Sequence, residues 1–338
     1  MEISVKTRSI FLVLVCVVCA SPPAAAQTTT VDLDGLLLSV SQSRTAQLFH
    51  IVDQLSEWDQ FAHKGYGRWA ARTALLDQTS RDLLKQHADL RRARGWERGF
   101  EQSYYSRESI EDAARAAVTS GVLTEKEALA EAAILRHFDK VLAPLLERGD
   151  GSVAAFINRV QAEAAALRPL IARLRRFAEV QQPVALTVYL VPNPEEGSGG
   201  GGAHGDRLVV EVQQKPDPLP ALIHEALHFL VDRHRTAVSA AAESAGLTWQ
   251  QLNEGIAYAA APGLTNSDAG SDALAEVLAQ RVMAGAAASD TFVRFYTLAT
   301  VIRPLLREAL DRGDNITAFL PKVVARWRSV ANTQPPRK

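Results

Sequence analysis

The amino-acid sequence predicts an α+β fold that is predominantly α-helical, with an N-terminal helical region and one short antiparallel sheet. Helical periodicity extends over almost all of residues 31–180. Two β-rich runs follow at 184–191 and 207–213, and helical periodicity returns over 271–330. Together these observations predict a mostly helical chain with a single pair of neighbouring strands.

The long helical region contains several distinct helix signals. Residues 36–58 have amphipathic spacing that predicts a helix. Thr124 and Glu127 form a capping-box pattern before an Ala- and Leu-rich run. Residues 153–180 predict a long Ala/Leu/Arg helix that is interrupted near Pro169.

Two β-rich runs, 184–191 and 207–213, are bounded by Pro and Gly and predict paired strands. The intervening segment, 192–205, contains four consecutive glycines, which are costly to order, and therefore predicts a mobile hairpin loop that ends near His204. No Gly-Lys-Ser/Thr sequence follows it, so a phosphate-binding loop is not expected.

The segment that follows the second strand carries a pattern typical of metal ligands. It reads His224-Glu-Ala-Leu-His228 within a stretch rich in Ala and Leu, which predicts a helix. Residues four apart lie on one helix face, so both imidazoles can reach one ion, while Glu225 lies about 100° round the helix and can reach a water molecule. A third protein ligand is needed to complete such a site.

Two residues are candidates for the third ligand. His234 follows His228 at the metzincin spacing, but Val231 occupies the position of the glycine that lets the chain turn there. Glu254 lies in an apolar, Ala-rich stretch that predicts a helix packed in the core, where an unpaired carboxylate would be costly. A metal ion would provide its partner, and Glu254 is therefore the preferred candidate.

With Asn253-Glu-Gly-Ile-Ala257 downstream of the His-Glu-x-x-His pattern, residues 207–260 resemble the gluzincins, the thermolysin-like zinc metallopeptidases of the peptidase MA clan. The resemblance implies a zincin-like metallopeptidase core in which Zn²⁺ is held by His224, His228 and Glu254. Asp232 matches an acidic residue that would orient a ligand histidine from outside the ligand set.

The same resemblance implies hydrolysis of peptide bonds in a peptide or protein substrate. Glu225 would be the general base that acts on a zinc-activated water. His204, Tyr258 and Tyr296 are competing candidates for the group that stabilises the oxyanion. An alternative is a zinc-binding but non-hydrolytic protein, in which the same ligands support a groove for a peptide or partner.

The amino terminus predicts export through a Sec-type signal peptide at residues 1–26. Lys6 and Arg8 precede a short apolar core at 10–20, and an Ala-x-Ala pattern ends before Gln27. We therefore expect a periplasmic or extracellular protein of bacterial type. No later run of eighteen apolar residues lacks charge, so no stable membrane span is expected after signal cleavage.

Composition narrows the remaining possibilities. Both cysteines, Cys16 and Cys19, lie in the predicted signal peptide, so a metal in the mature chain must use His and carboxylate ligands. The net charge of −1 gives no basic excess for binding nucleic acid. We expect a helical region at 27–182, a metallopeptidase-like core at 183–330 and a disordered tail at 331–338.

Overall fold

The fold is mostly helical and contains one mixed five-stranded sheet, which confirms the predicted α+β class. The predicted signal peptide lies outside the described residues. No helix in the described ranges has the length and apolar character needed to cross a membrane. The computed structural model describes residues 29–95, 98–195, 200–213, 218–265, 269–283 and 290–333.

The sheet is built around three parallel strands. Its order is β1-β2-β3-β5-β4, in which β2, β3 and β5 are parallel while β1 and β4 lie antiparallel at the two edges. The strands of the described residues are β1 (Thr29–Asp32), β2 (Leu36–Ser41), β3 (Val184–Pro192), β4 (Gly201–His204) and β5 (Arg207–Val212).

The expected antiparallel pairing of the two β-rich runs is wrong. β3 and β5 are parallel, with Val188 opposite Leu208. They are parallel because the chain runs back between them as strand β4, at residues 201–204. β4 then makes a tight hairpin with β5 around Gly205, at φ +66°. The glycine-rich segment is thus partly a strand, and His204 lies at the end of that strand rather than in a mobile loop.

The predicted helix over 36–58 is also wrong at its start. Residues 36–41 form β2, in which Leu36, Leu38 and Val40 are fully buried and alternate with half-buried residues. This alternation has the period of two that a strand requires, and it is short enough to be mistaken for one face of a helix. The first helix begins only at Arg44, after Ser43 caps it.

Helices cover both faces of the sheet. The described residues form thirteen of them: α1 (Arg44–Ser56), α2 (Lys64–Arg72), α3 (Gln78–Arg94), α4 (Arg98–Tyr105), α5 (Ile110–Thr119), α6 (Glu125–Val141), α7 (Ala143–Phe177), α8 (Leu219–Asp232), α9 (Arg235–Ser244), α10 (Trp249–Ala260), α11 (Ala269–Met283), α12 (Thr291–Arg312) and α13 (Ile316–Thr333).

Local helix signals have mixed outcomes. The predicted capping box of Thr124 and Glu127 begins α6 and is confirmed. The interruption expected near Pro169 is wrong, because α7 runs through it while Leu167 and Leu170 on either side stay packed in the core. α13 extends to Thr333, into the tail predicted as disordered, and residues 334–338 lie outside the described residues.

Two hydrophobic cores lie on opposite faces of the sheet. Leu208 and Val210 of β5 pack in a core with α7, α8, α10, α12 and α13. Val209, between them in sequence, faces the second core, which is formed with α1 to α6. We call helices α1 to α6 the helical layer. The sheet therefore separates α8 from the helical layer, and β4 is in contact with both sides.

A chain of alternating charges is buried inside the helical layer, and we call it the buried ion chain. His87 bridges Glu131 at 2.9 Å and Asp53 at 3.1 Å, and Arg91 links Asp53 to Glu101. Burial alone would lower the pKa of His87, but the Glu131 and Asp53 carboxylates outweigh it and raise the pKa to about 9. His87 is therefore an imidazolium at neutral pH.

The raised pKa of His87 predicts how stability depends on pH. The folded value of about 9 exceeds the ordinary value of 6.5, so the stabilisation is complete below about pH 6.5 and is lost as the pH rises through about 9. The loss is on the order of 3 kcal/mol, because each pKa unit corresponds to about 1.4 kcal/mol. Urea unfolding across this pH range measures it.

His87→Gln is the matched control, because it cannot gain or lose this proton. The alkaline loss of unfolding free energy should be larger in the wild type than in His87→Gln. Equal losses in the two proteins, or an imidazole of His87 that titrates near 6.5 by NMR, would contradict the assignment.

Candidate metal centre

α8 presents the His-Glu-x-x-His pattern to the interior. Its first turn accommodates Pro220, whose missing N–H is not needed there, and no glycine or proline interrupts the rest. Ile223 and Leu227 anchor the helix in the core that includes β5. His224 and Glu225, each only 7% exposed, are therefore held on a helix that cannot rotate without exposing its apolar side.

α10 brings Glu254 to the same place. Thr248 and Gln251 form a capping box that begins the helix. Gly255 permits close packing on α12, because a Cβ at this position would lie 2.7 Å from Cγ of Leu298. The glycine of the Glu-Gly-x-Ala element thus has a packing role, and it fixes the height of Glu254 relative to α8.

The three proposed ligands converge. Nε2 of His224 lies 2.9 Å from Nε2 of His228, and Oε2 of Glu254 lies 3.3 Å from the first nitrogen and 3.5 Å from the second. Among the described residues, these three side chains form a group whose potential ligand atoms lie close enough together to hold one metal ion. We call His224, His228 and Glu254 the ligand group.

The separations in the ligand group fit a metal ion. Tetrahedral ligands at bond lengths of 2.0–2.2 Å lie about 3.3 Å apart. Burial alone would lower the pKa of His228, but the carboxylates of Glu254 and Glu225 raise it to about 9. The imidazoles in turn outweigh burial and hold the pKa of Glu254 far below its ordinary value. The carboxylates therefore stabilise a positive charge between the two imidazoles. A divalent cation bound there would replace the proton on His228.

The outer nitrogens of the two imidazoles also have partners. Nδ1 of His224 lies 3.4 Å from the carbonyl oxygen of Ala261, to which it can donate. Nδ1 of His228 lies 2.9 Å from the Asn253 amide nitrogen, while Oδ1 of Asn253 is buried without a partner. Turning the amide over pairs Oδ1 with an Nδ1–H group, which leaves Nε2 of His228 free to coordinate.

Asn253 thus positions the His228 ring, a role that the sequence analysis did not assign to it. Its place directly before Glu254 was the available signal. Asp232, which the gluzincin resemblance assigns to orienting a ligand histidine, forms an ion pair with Arg235 at 3.1 Å. The observed partners of the outer ring nitrogens are thus an amide and a backbone carbonyl.

His234 does not join the ligand group. α8 ends at Asp232, and the chain turns, so that Nε2 of His234 lies 2.8 Å from the carbonyl oxygen of Ala178 after α7. The metzincin-like alternative for the third ligand is therefore wrong. Its glycine is absent here, and the turn that occurs instead sends the imidazole toward α7.

Glu225 lies beside the ligand group and against β4. Burial raises the pKa of its carboxyl, the nearby Glu254 raises it further, and the two ligand imidazoles oppose the rise. A Cβ on Gly201 would lie 2.9 Å from Cγ and Oε1 of Glu225. Glycine at 201 therefore allows β4 to approach the carboxylate closely, a role that the glycine-rich composition alone did not reveal.

β4 is the edge strand nearest to this site, and one row of its backbone groups faces outward. The N–H of Glu211 donates to the carbonyl oxygen of Gly200, and bonded pairs alternate along an antiparallel ladder. Gly202 and His204 therefore bond to β5, while the N–H and C=O groups of Gly201 and Ala203 point away from it. Within the described ranges, no strand pairs with this outer edge.

The three candidate oxyanion donors are in different positions. The ring of Tyr258 packs on His224 at 4.3 Å between centroids, and Tyr296 lies 4.7 Å from Tyr258. Burial first, then the neighbouring Tyr296, raises the pKa of Tyr258 well above its ordinary value. His204 lies on the opposite face of the sheet, where its Nδ1 contacts Glu101 at 2.7 Å. Tyr258 therefore adjoins the ligand group, Tyr296 packs on Tyr258, and the His204 imidazole lies on the other side of the sheet.

Comparison of the chain with known protein families, curated proteins and solved structures gives no match. The resemblance to gluzincins consequently rests on the two motifs at 224–228 and 253–257. Their convergence in space, described above, adds a geometric observation that is independent of sequence similarity.

The ligand group predicts a specific pattern of metal loss. Glu254→Ala should weaken Zn²⁺ binding by more than the roughly 10- to 100-fold typical of losing an outer partner, because it removes a ligand atom. His234→Ala should bind like the wild type. Competition titration with a chromophoric chelator measures both affinities, and circular dichroism checks that each variant is folded. Loss of affinity in His234→Ala but not in Glu254→Ala would contradict the assignment.

Proposed function

We propose that this protein is an exported zinc-dependent metallopeptidase that hydrolyses peptide bonds. One observation carries the proposal: the largely buried ligand group lies directly beside Glu225 and near edge strand β4, whose outer backbone groups pair with no other strand of the described residues. A structural metal site needs neither a neighbouring free carboxylate nor an open strand edge. A hydrolytic site that acts on an extended peptide needs both.

Zinc suits the ligand group because two imidazoles and one carboxylate form a donor set common in catalytic zinc sites, with a further position left open. Zinc, when bound, polarises a carbonyl group and lowers the pKa of water. The ligands His224, His228 and Glu254 would hold it. Asn253 and the Ala261 carbonyl would keep both Nε2 atoms available by binding the opposite ring nitrogens.

Glu225 is the general base in this proposal. Its carboxylate would accept a proton from the attacking water and deliver it to the nitrogen of the leaving amine. Burial supports this role, because a desolvated carboxylate holds a proton more readily than an exposed one. The tight contact with Gly201 restricts the movement of Glu225 and keeps the carboxylate at one height along α8.

The substrate would bind as an added strand along β4. The outward N–H and C=O groups of Gly201 and Ala203 would pair with its backbone, as in other cases of strand addition. Glycines at 200, 201 and 202 leave this edge without bulky side chains. Such an edge would recognise the backbone of a peptide rather than its side chains.

Tyr258 is the proposed donor to the oxyanion. It lies one turn after Glu254 on α10 and contacts His224, so its phenol adjoins the ligand group. Its raised pKa keeps the hydroxyl protonated and able to donate. Tyr296 supports the ring from α12 and is the alternative donor.

The proposed compartment rests on residues 1–26, whose basic start, apolar core and Ala-x-Ala ending are typical of a signal peptide. An exported enzyme without cysteines in its mature part would obtain its stability from the two cores and the buried ion chain. Peptides in the periplasm or the medium would be its substrates.

Glu225→Gln tests the proposed function. The variant should retain stoichiometric zinc, because Glu225 is not a ligand, and should lose at least about 100-fold in kcat, because general acid–base catalysis contributes that much. Cleavage of a mixed peptide library, read by mass spectrometry, provides substrates, and metal analysis measures zinc. Glu243→Gln, an exposed position on α9, is the matched control and should behave like the wild type.

Two outcomes would overturn the proposal. The first is cleavage of peptides by Glu225→Gln at the wild-type rate, which would exclude Glu225 as the general base. The second is binding of library peptides by the zinc-loaded wild type without cleavage of any of them, which would support the non-hydrolytic alternative.

A further inference from the structure

The last residue of strand β4, His204, contacts helix α4 of the helical layer. Nδ1 of His204 and Oε2 of Glu101 on α4 lie 2.7 Å apart. The ring of His204 also packs against Tyr105, with centroids 4.8 Å apart, and the amide of Gln102 donates to the His204 carbonyl oxygen at 3.3 Å. One short helix thus contacts both the side chain and the backbone of the last residue of β4.

Glu101 is itself fixed. It is 4% exposed, and its other oxygen accepts a hydrogen bond from Arg91, so it forms the end of the buried ion chain. Burial alone would raise its pKa, but His204 and then Arg91 outweigh burial and hold the pKa below its ordinary value. The carboxylate therefore stays ionised and cannot easily leave its place.

The opposite face of β4 touches the candidate site. Side chains alternate along a strand, so Gly202 and His204 face the helical layer, while Gly201 and Ala203 face α8. Gly201 contacts Glu225, and it lies three residues, or about 10 Å, from His204. Gly202 leaves room for the imidazole, because a Cβ there would lie 2.8 Å from Nε2 of His204.

β4 needs such an attachment. It is four residues long and begins with two glycines, and among the described strands it bonds only to β5. Glycines lose more conformational freedom on ordering than other residues, and a short edge strand gains few contacts in return. Hydrogen bonding to β5 alone would leave the outer edge and the contact with Glu225 free to shift.

We propose that His204 is a positioning residue: by binding Glu101 it fixes β4, and through Gly201 it fixes the distance between the strand edge and Glu225. The helical layer, through Glu101, thus helps to position the groups of the site. The catalytic consequence rests on the proposed function, whereas the anchoring of β4 does not.

Three variants test the proposal. His204→Leu removes the hydrogen bond to Glu101. His204→Asn keeps it, because the Asn amide nitrogen can take the place of Nδ1. Glu131→Gln alters the far end of the buried ion chain without touching β4, and it controls for a general loss of stability in the helical layer.

Hydrogen exchange of the β4 amides is the first readout. The amides of Gly202 and His204, which bond to β5, should exchange roughly ten- to a hundredfold faster in His204→Leu, because a charge-assisted hydrogen bond is lost. His204→Asn should restore protection, and Glu131→Gln should leave it unchanged. Equal exchange in wild type and His204→Leu would overturn the anchoring role.

Peptide cleavage is the second readout. In His204→Leu, kcat should fall by roughly tenfold or more with zinc retained, and His204→Asn should recover most of it. Loss in His204→Asn equal to that in His204→Leu would instead indicate direct action of the imidazole and would overturn the positioning role. If the wild type cleaves no peptide, the proposed function fails, while the exchange data still decide whether His204 anchors β4.

Discussion

Two imidazole nitrogens and a carboxylate oxygen, held within 3.5 Å of one another in a largely buried site, constrain the whole structure. Uncompensated charge in such a place is costly, and the arrangement is favourable only with a cation or a proton at its centre. Helix α8 must therefore keep its face toward α10. The glycine at 255 allows α10 to pack closely enough on α12 to hold Glu254 at the required height.

The sheet connects this site to the rest of the protein. β5 contributes alternate residues to the core below α8 and to the core of the helical layer, and β4 contacts Glu225 on one face and Glu101 on the other. The buried ion chain gives the helical layer a fixed set of charges, and His204 connects its end to the strand. A helical layer that merely covered the sheet would not require this polar connection.

The sequence predicted those parts of the molecule whose signals are local. The α8 and α10 helices follow from their Ala-rich, apolar composition, and the convergence of His224, His228 and Glu254 follows from spacing on one helix together with the cost of burying a lone acid. Strand β2 was mistaken for helix because six residues of alternating burial hold too few repeats to distinguish the two periods.

Other features depend on contacts between distant parts of the chain and have no local signal. The parallel pairing of β3 with β5 required knowledge that the glycine-rich segment returns as a strand. Glu101 and His204 are 103 positions apart, and nothing in either neighbourhood indicates the other. Asn253 is an intermediate case, because its position beside Glu254 is visible in the sequence but its contact with His228 depends on how α10 packs on α8.

Anomalous diffraction at the zinc absorption edge, from crystals of the protein purified without chelator, tests the central claim most directly. The account predicts one strong peak about 2.1 Å from Nε2 of His224, Nε2 of His228 and the Glu254 carboxylate, with Glu225 close by but not coordinated. A peak on other residues, or a zinc-loaded crystal in which Glu254 lies outside coordinating distance, would contradict it.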